Sequence, residues 1–502
     1  MQPTGTDPFD EGPGGKLVPL HSGIDLDATA YFERGDQTEL AEKVLSQLAE
    51  GGRALTHDAG EFWRYAPALG IWEQITGPKV RTMAASFAGC PIGFGQPRKR
   101  KDGSDTTPQT VKVNASTAAG AETIARDQLL SDPDRVRFDG APLGVAFSDG
   151  FVKVRAGKVD LVPHSPEHRC RHAYPFAFLP DAATPMLDKF FYELFRDCDQ
   201  FERDLRIALL QEFVGASLIG DACRYQRCLV LFAKGGNGKS ELLRILRGLF
   251  PPEAVTSLVP QWWSHRFRSV MLEGKLANFC DELPDAEIMG GEAWKLVVTG
   301  EPIPAEKKNR DPFIFTPRAG NIFATNSPIR STDHSDGFWR RPLVLGLTRQ
   351  FDGDSGRVLE AGARVLEAER AGIAAWAIRG AARAQHQGAY TMPPSSLALA
   401  REWRDENDQV RGFVADNPVT ERVQATELYK RYSTWAKENG LGPMSATMFG
   451  RRMMAADLAD REGTGRRFYL PRGSAKRTAE ELAREDETRR ALEEEADRLN
   501  RG

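Results

Sequence analysis

The chain has 502 residues, is 41% hydrophobic and 27% charged, and carries a net charge of −3. This is ordinary globular chemistry over a length that exceeds one hydrophobic core, so about two to four domains are expected. The near-neutral charge excludes a broadly polycationic nucleic-acid binder, and any such contact must come from local patches. No apolar run approaches a membrane span, the first residues lack a secretory pattern, and six scattered cysteines without a CxxC pair read as reduced thiols of a cytoplasmic protein.

Residues 1–24 are Pro/Gly-rich and read as a disordered tail. A helix is expected from Thr38 to Glu50. EFWRYAPALGIWEQI (61–75) alternates aromatic and polar residues around a Pro/Gly turn and predicts a hairpin. PRKRKDGSDTTPQ (97–109) is a basic loop, and FVKVRAGKVDLVPH (151–164) predicts a second hairpin. Apolar spacing through Leu187, Phe190, Leu194, Leu205, Leu209, Phe213 and Leu218 predicts helices over 186–220. Further helices are expected at 356–386 and 394–415, then a compact piece at about 418–472 and a charged tail at 473–502. His164, His168, Cys170 and His172 match no common zinc spacing and read as an incidental cluster.

The most informative stretch is QRCLVLFAKGGNGKS (226–240). An apolar strand (Cys228 to Phe232) runs into a glycine turn, and ELLRILRGLF then places Leu242, Leu243, Ile245, Leu246 and Leu249 at helical spacing. Strand, glycine loop and helix form the context of a nucleotide phosphate loop. Gly235, Gly236, Asn237 and Gly238 would offer backbone N–H groups to phosphate oxygens, Lys239 would meet the β/γ-phosphates of ATP, and the Ser240 hydroxyl suits Mg²⁺. Ala233 stands where the full pattern has glycine.

Such a loop needs a carboxylate for the metal and the attacking water. KLANFCDELPD (275–285) supplies a short strand ending in Asp281, assigned to the metal's outer shell, and Glu282, assigned as the base for water. NIFATNSP (321–328) is a further strand ending in Asn326, whose amide can hold water or the γ-phosphate. HSDGFWRRPLVLGL (334–347) puts Arg340 and Arg341 before another strand, where either could reach a neighbouring subunit's nucleotide.

In order, GGNGKS, LEGKLANFCDEL, WKLVVTGEPIPAEKKNRDPFIFTP, IFATNSPI and GFWRRPLVL resemble the superfamily 3 (AAA+) helicase core of the phage, plasmid and poxvirus primase–helicases. That family places a DNA-gripping hairpin between the Walker B carboxylates and the sensor asparagine, and Lys295, Thr299, Gly300, Lys307 and Lys308 fall on its pattern. The match is one residue short near Glu301, and Asn309 replaces a frequent aromatic. By position in the family, Arg341 is the better finger candidate than Arg340.

The resemblance implies an α/β fold: a disordered tail (1–24), an α+β pre-helicase domain (25–185), a helical collar (186–223), an AAA+ P-loop core with a central parallel sheet (224–350), a helical segment (351–415) and a winged-helix domain (416–472). It implies the helicase portion without a primase domain.

Lys307 and Lys308 would contact DNA phosphates without reading bases. In the C-terminal piece Leu428, Tyr432 and Trp435 share a core face, Ser445 opens a second helix carrying Arg451 and Arg452, and Arg466 and Arg467 follow in a wing. The implied protein is a ring, as a hexamer, moving 3′-to-5′ on single-stranded and forked DNA in the host cytoplasm, with a separate primase or initiator as partner. A DNA-packaging motor, a metabolic kinase, and an ATP-assembled origin-binding factor are the alternatives.

Overall fold

The computed structural model describes residues 31–93, 109–283, 290–308, 310–331, 333, 335–351, 358, 360–462 and 467–472. The expected tails, most of the 97–109 loop and Arg466 lie outside the described residues. The chain divides into two compact units, Met1–Arg64 with Gln74–Arg135, and Tyr65–Glu73 with Val136–Gly502.

The first unit contains α1 (Gln37–Leu48), β1 (Leu55–Asp58) and the helices α2 (Gly77–Ser86) and α3 (Ala115–Ser131), while β2 (Glu61–Ala66) and β3 (Ile71–Ile75), which pair in the order β1-β2-β3, run across the division at Tyr65–Glu73. The Asp36 carboxylate accepts the Glu39 N–H and starts α1, while Asn114 does the same for α3. Phe32, Leu40, Val44, Phe62, Val80 and Phe87 fill the core between them.

In the second unit, β4 (Gly144–Phe147), β5 (Gly150–Arg155) and β6 (Lys158–Val162) form an antiparallel sheet. Its inner face, Val145, Phe147, Val152 and Val154, lies in one hydrophobic cluster with residues of α4 (Pro185–Leu194) and α5 (Gln200–Leu218). The domain boundary expected at residue 185 is therefore displaced: residues 136–185 share their core with the helices that follow.

Five strands then make one parallel sheet in the order β13-β7-β12-β9-β8. In chain order the elements are β7 (Cys228–Phe232), α6 (Lys239–Leu249), β8 (Val255–Thr256), α7 (Arg266–Ser269), β9 (Ala277–Cys280), α8 (Glu292–Thr299), β10 (Ile303–Ala305), β11 (Phe313–Phe315), β12 (Gly320–Thr325), α9 (Asp336–Trp339) and β13 (Pro342–Gly346). Burial on both faces explains the unbroken apolar runs, with every residue of β9 and β12 buried.

The long α10 (Ala361–Gln387) packs along α5 and α6 and breaks at Glu369, whose carboxylate accepts the Met186 and Leu187 N–H groups at the start of α4. After α11 (Pro394–Glu406) and α12 (Gln409–Asp416) comes a small module of β14 (Val423–Gln424), α13 (Ala425–Glu438), α14 (Ala446–Ala455), β15 (Asp460–Glu462) and β16 (Phe468–Leu470), with antiparallel order β14-β16-β15. Leu428, Tyr432, Phe449, Met453 and Tyr469 form its core together with Val410 and Phe413 of α12. Ser445 caps α14 as expected, accepting the Met448 N–H.

Candidate active site

β7, β12 and β9 are neighbours and parallel, so their carboxyl ends share one edge of the sheet, the place where open α/β sheets bind ligands. From β7 the chain turns through Gly235, Gly236 and Gly238, with φ of 110°, 64° and 76°. Side chains other than glycine rarely adopt these angles. Ala233 needs no such freedom: it is absent from the positive-φ positions, is buried, and its N–H bonds the Thr325 carbonyl at 3.2 Å. Gly238 caps α6 without a side-chain hydrogen bond, which leaves the helix's first N–H groups for a ligand.

The loop is tethered from behind. The buried Asn237 amide donates to the Arg349 carbonyl at 2.7 Å, the Phe351 N–H bonds the Gly236 carbonyl at 2.9 Å, and the Arg349 guanidinium pairs with Glu193. Neither Arg349 nor Phe351 stands out in the sequence, since nothing local marks a backbone carbonyl as a tether.

Lys239 donates to the Thr325 carbonyl at 3.2 Å and to the Asn326 side-chain oxygen. Burial lowers its pKa, and the nearby Glu282 carboxylate opposes that shift. Thus Lys239, at the start of α6, meets Asn326 beyond β12, with the Glu282 charge, beyond β9, near enough to act on the ammonium. Asp281 is placed differently. Its carboxylate accepts from Arg247, on the last turn of α6, at 2.8 Å, and Arg247 also reaches the Phe279 carbonyl at 3.3 Å. Ser240 is exposed in the first turn of α6. Its hydroxyl and the two carboxylates are hard oxygen donors of the kind Mg²⁺ takes alongside substrate phosphates. Among the described residues no group of three or more His, Cys, Asp or Glu could hold a metal by itself, which includes the 164–172 cluster.

The two arginines separate. Arg341 is buried, donates to the Gly337 carbonyl, and has its Nε buried without a partner. Arg340 is exposed and donates to Gln226 at 2.9 Å. Arg341 is thus folded against α9, whereas Arg340 faces outward.

α8 ends at Gly300 (φ 69°), where a Cβ would meet the Cys223 Cβ at 2.7 Å. β10 and β11 then pair antiparallel with Ala305 opposite Phe313, and Lys307 and Lys308 occupy the turn. The Lys307 ammonium sits 5.8 Å from the Phe313 ring, Lys308 is exposed, and Lys295 pairs with Asp333 at 2.7 Å. Asn309 lies outside the described residues.

In the C-terminal module Arg451 and Arg467 are exposed. Arg452 corrects its expected role in DNA contact: it pairs with Asp408 at 2.7 Å, both side chains largely buried. Asp408 also caps α12, so this arginine fastens α14 to α12 instead of facing outward.

The profile of a family described as "D5 N terminal like" matches residues 52–196, and that of a family of unknown function matches residues 231–341. The chain is similar to each of these families over less than half its length. Among solved structures, the apo structure of the NrS-1 C terminal region (305-718) aligns at 12% identity and a TM-score of 0.46, covering 88% of this chain and 100% of that one. The A form apo structure of the NrS-1 C terminal region aligns at 13% identity and a TM-score of 0.44, covering 87% and 100%. No described helix is long and apolar enough to cross a membrane.

Proposed function

We propose that this protein is a phage or mobile-element replication enzyme: an ATP-hydrolysing, ring-forming DNA helicase with an AAA+ core and a C-terminal winged-helix module. The observation that carries the reading is the hydrogen bond of Lys239, at a glycine-capped helix N-terminus, to Asn326 beyond the adjacent parallel strand, with the Glu282 carboxylate acting on the same ammonium. The lysine-tipped hairpin between β9 and β12 adds the nucleic-acid half. The match to the D5 N terminal like family falls on the segment assigned to the pre-helicase domain of the primase–helicases.

The loop glycines and the first turn of α6 would hold the phosphates. Lys239 would exchange Asn326 for the γ-phosphate, freeing that amide to orient water, and Glu282 would accept the water's proton. Bound Mg²⁺, held by Ser240 and by Asp281 once Arg247 releases it, would neutralise phosphate charge. Arg340 would complete a neighbour's site, and Lys307 and Lys308 would carry the strand as the hairpin moves. A hexamer moving 3′-to-5′ on single-stranded or forked DNA, with a separate primase or initiator, completes the proposal.

The test is ATP hydrolysis by the purified chain with Mg²⁺, with and without single-stranded DNA. Hydrolysis stimulated by DNA, together with an assembly larger than a monomer, is expected. A permanently monomeric protein that hydrolyses nothing under either condition overturns the proposal.

A further inference from the structure

α11 belongs to the core around the parallel sheet: Trp403 is buried, and its ring meets that of Phe232, at the end of β7, edge-on at 5.1 Å. α12, which follows, belongs to the C-terminal module, whose core includes Val410 and Phe413. Only Asn407 and Asp408 separate the two helices. Their side chains are committed in opposite directions.

Asn407 reaches back. Its amide donates to the Ile329 carbonyl at 2.7 Å, and its side-chain oxygen accepts the Ser331 N–H at 2.9 Å. These two backbone groups lie three and five residues beyond Asn326, in the loop that leaves β12. The same amide donates to the Trp403 carbonyl at 2.7 Å, which fixes it to the end of α11. Farther along that loop, Arg404 of α11 pairs with Asp336 at the start of α9 at 2.6 Å. Asp408 reaches forward. Its carboxylate accepts the Val410 and Arg411 N–H groups at 2.9 and 3.2 Å and pairs with Arg452 of α14 at 2.7 Å. With no spacer between the two residues, a tilt of α12 must turn Asn407 and the backbone it holds, and a shift of that backbone must act on α12.

We propose that Asn407 and Asp408 form a joint through which the seating of the C-terminal module sets the loop that begins at Asn326, and so the rate of ATP hydrolysis. Asn407 is then a positioning residue for the Asn326 amide. This role rests on the ATP-hydrolysing reading of the site and adds a means of regulation to it.

The test compares ATP turnover with the binding of a fluorescent non-hydrolysable ATP analogue in the full chain. Asn407→Ala should lower kcat about tenfold and leave analogue affinity within about twofold, since the displaced Asn326 amide serves the attacking water. Asn407→Asp keeps the acceptor for Ser331 and should lose only about threefold. Arg452→Met, on the other side of the joint, should lower kcat with the same split. The double variant should be no slower than Asn407→Ala alone, because both changes act through one joint. Measurements are made at a temperature where denaturation curves show every variant folded, so a merely structural role would leave kcat unchanged. If the wild type turns over ATP and Asn407→Ala matches it, or if the two losses multiply in the double variant, the joint is wrong and the nucleotide reading stands. If the wild type neither binds the analogue nor hydrolyses ATP, both fall.

Discussion

The glycine-loop end and the hairpin end of the second unit hold positive charge in different ways. At the glycine loop three charges already have partners within the chain: Lys239 with Asn326, Asp281 with Arg247, Arg349 with Glu193. At the hairpin turn Lys308 faces solvent, and the Lys307 ammonium lies 5.8 Å from the Phe313 ring. A site that must release and recapture groups in each cycle gains from internal partners that stand in for the ligand. A site that slides along a polyanion would gain from a cation turned to solvent. The difference teaches that one kind of residue, lysine, should fail in two distinguishable ways.

The largest effect is expected at Lys239. Lys239→Ala should lower steady-state ATP hydrolysis by about a thousandfold or more, because it removes the charge placed for the phosphates. Glu282→Gln keeps shape and loses the base, and turnover should fall about a hundredfold with nucleotide binding retained, a split that equilibrium binding beside turnover would show. Lys308→Ala should act on the other side of the comparison. It should reduce DNA stimulation of hydrolysis about tenfold and flatten the salt dependence of DNA binding. Should Lys308→Ala instead mimic Lys239→Ala in the absence of DNA, the division between the two ends would collapse.

Much of the fold at the glycine-loop end was legible because its signals are local. Glycines at positive φ, an apolar strand before them and helical spacing after them all sit within 25 residues, 226–250. The strands ending at Glu282 and Asn326 were equally plain, since two-sided burial writes itself as unbroken apolar runs. What sequence could not supply was pairing at a distance. Arg247 looked like an exposed position on an amphipathic helix, and only the packing of α6 against β9 brings it to Asp281. Arg341 and Arg340 are adjacent in sequence, and the short α9 decides which one is buried.

Away from both ends, Arg452 and Arg451 repeat the contrast on a single helix. Arg452 is paired with Asp408 and largely buried, whereas Arg451 is exposed. Arg452→Met should destabilise the C-terminal module by about 2 kcal/mol, since Asp408 is left without its cation. Arg451→Ala should change stability by less than about 0.5 kcal/mol. Chemical denaturation followed by the fluorescence of Trp435 would read both, because that indole is anchored to Asp416 within the module.

The last effect concerns pH. Burial lowers the His172 pKa to about 4 from an ordinary 6.5 and keeps the ring neutral, while its Nε2 lies 2.9 Å from the Gly274 carbonyl and donates a proton to it. Because the folded value is depressed, the unfolded chain takes up a proton that the folded chain refuses between these two values. Stability from this residue is therefore intact above pH 6.5 and declines as pH falls toward 4, by about 1 kcal/mol per pH unit. His172→Gln keeps a donor for Gly274 and cannot titrate. The stability difference between wild type and variant should therefore shrink in the wild type's disfavour from pH 7 to pH 5. Parallel curves for the two proteins across that range would mean that His172 takes up its proton in the fold as readily as in the unfolded chain, and that the contact between residues 172 and 274 tolerates a cation the buried site should reject.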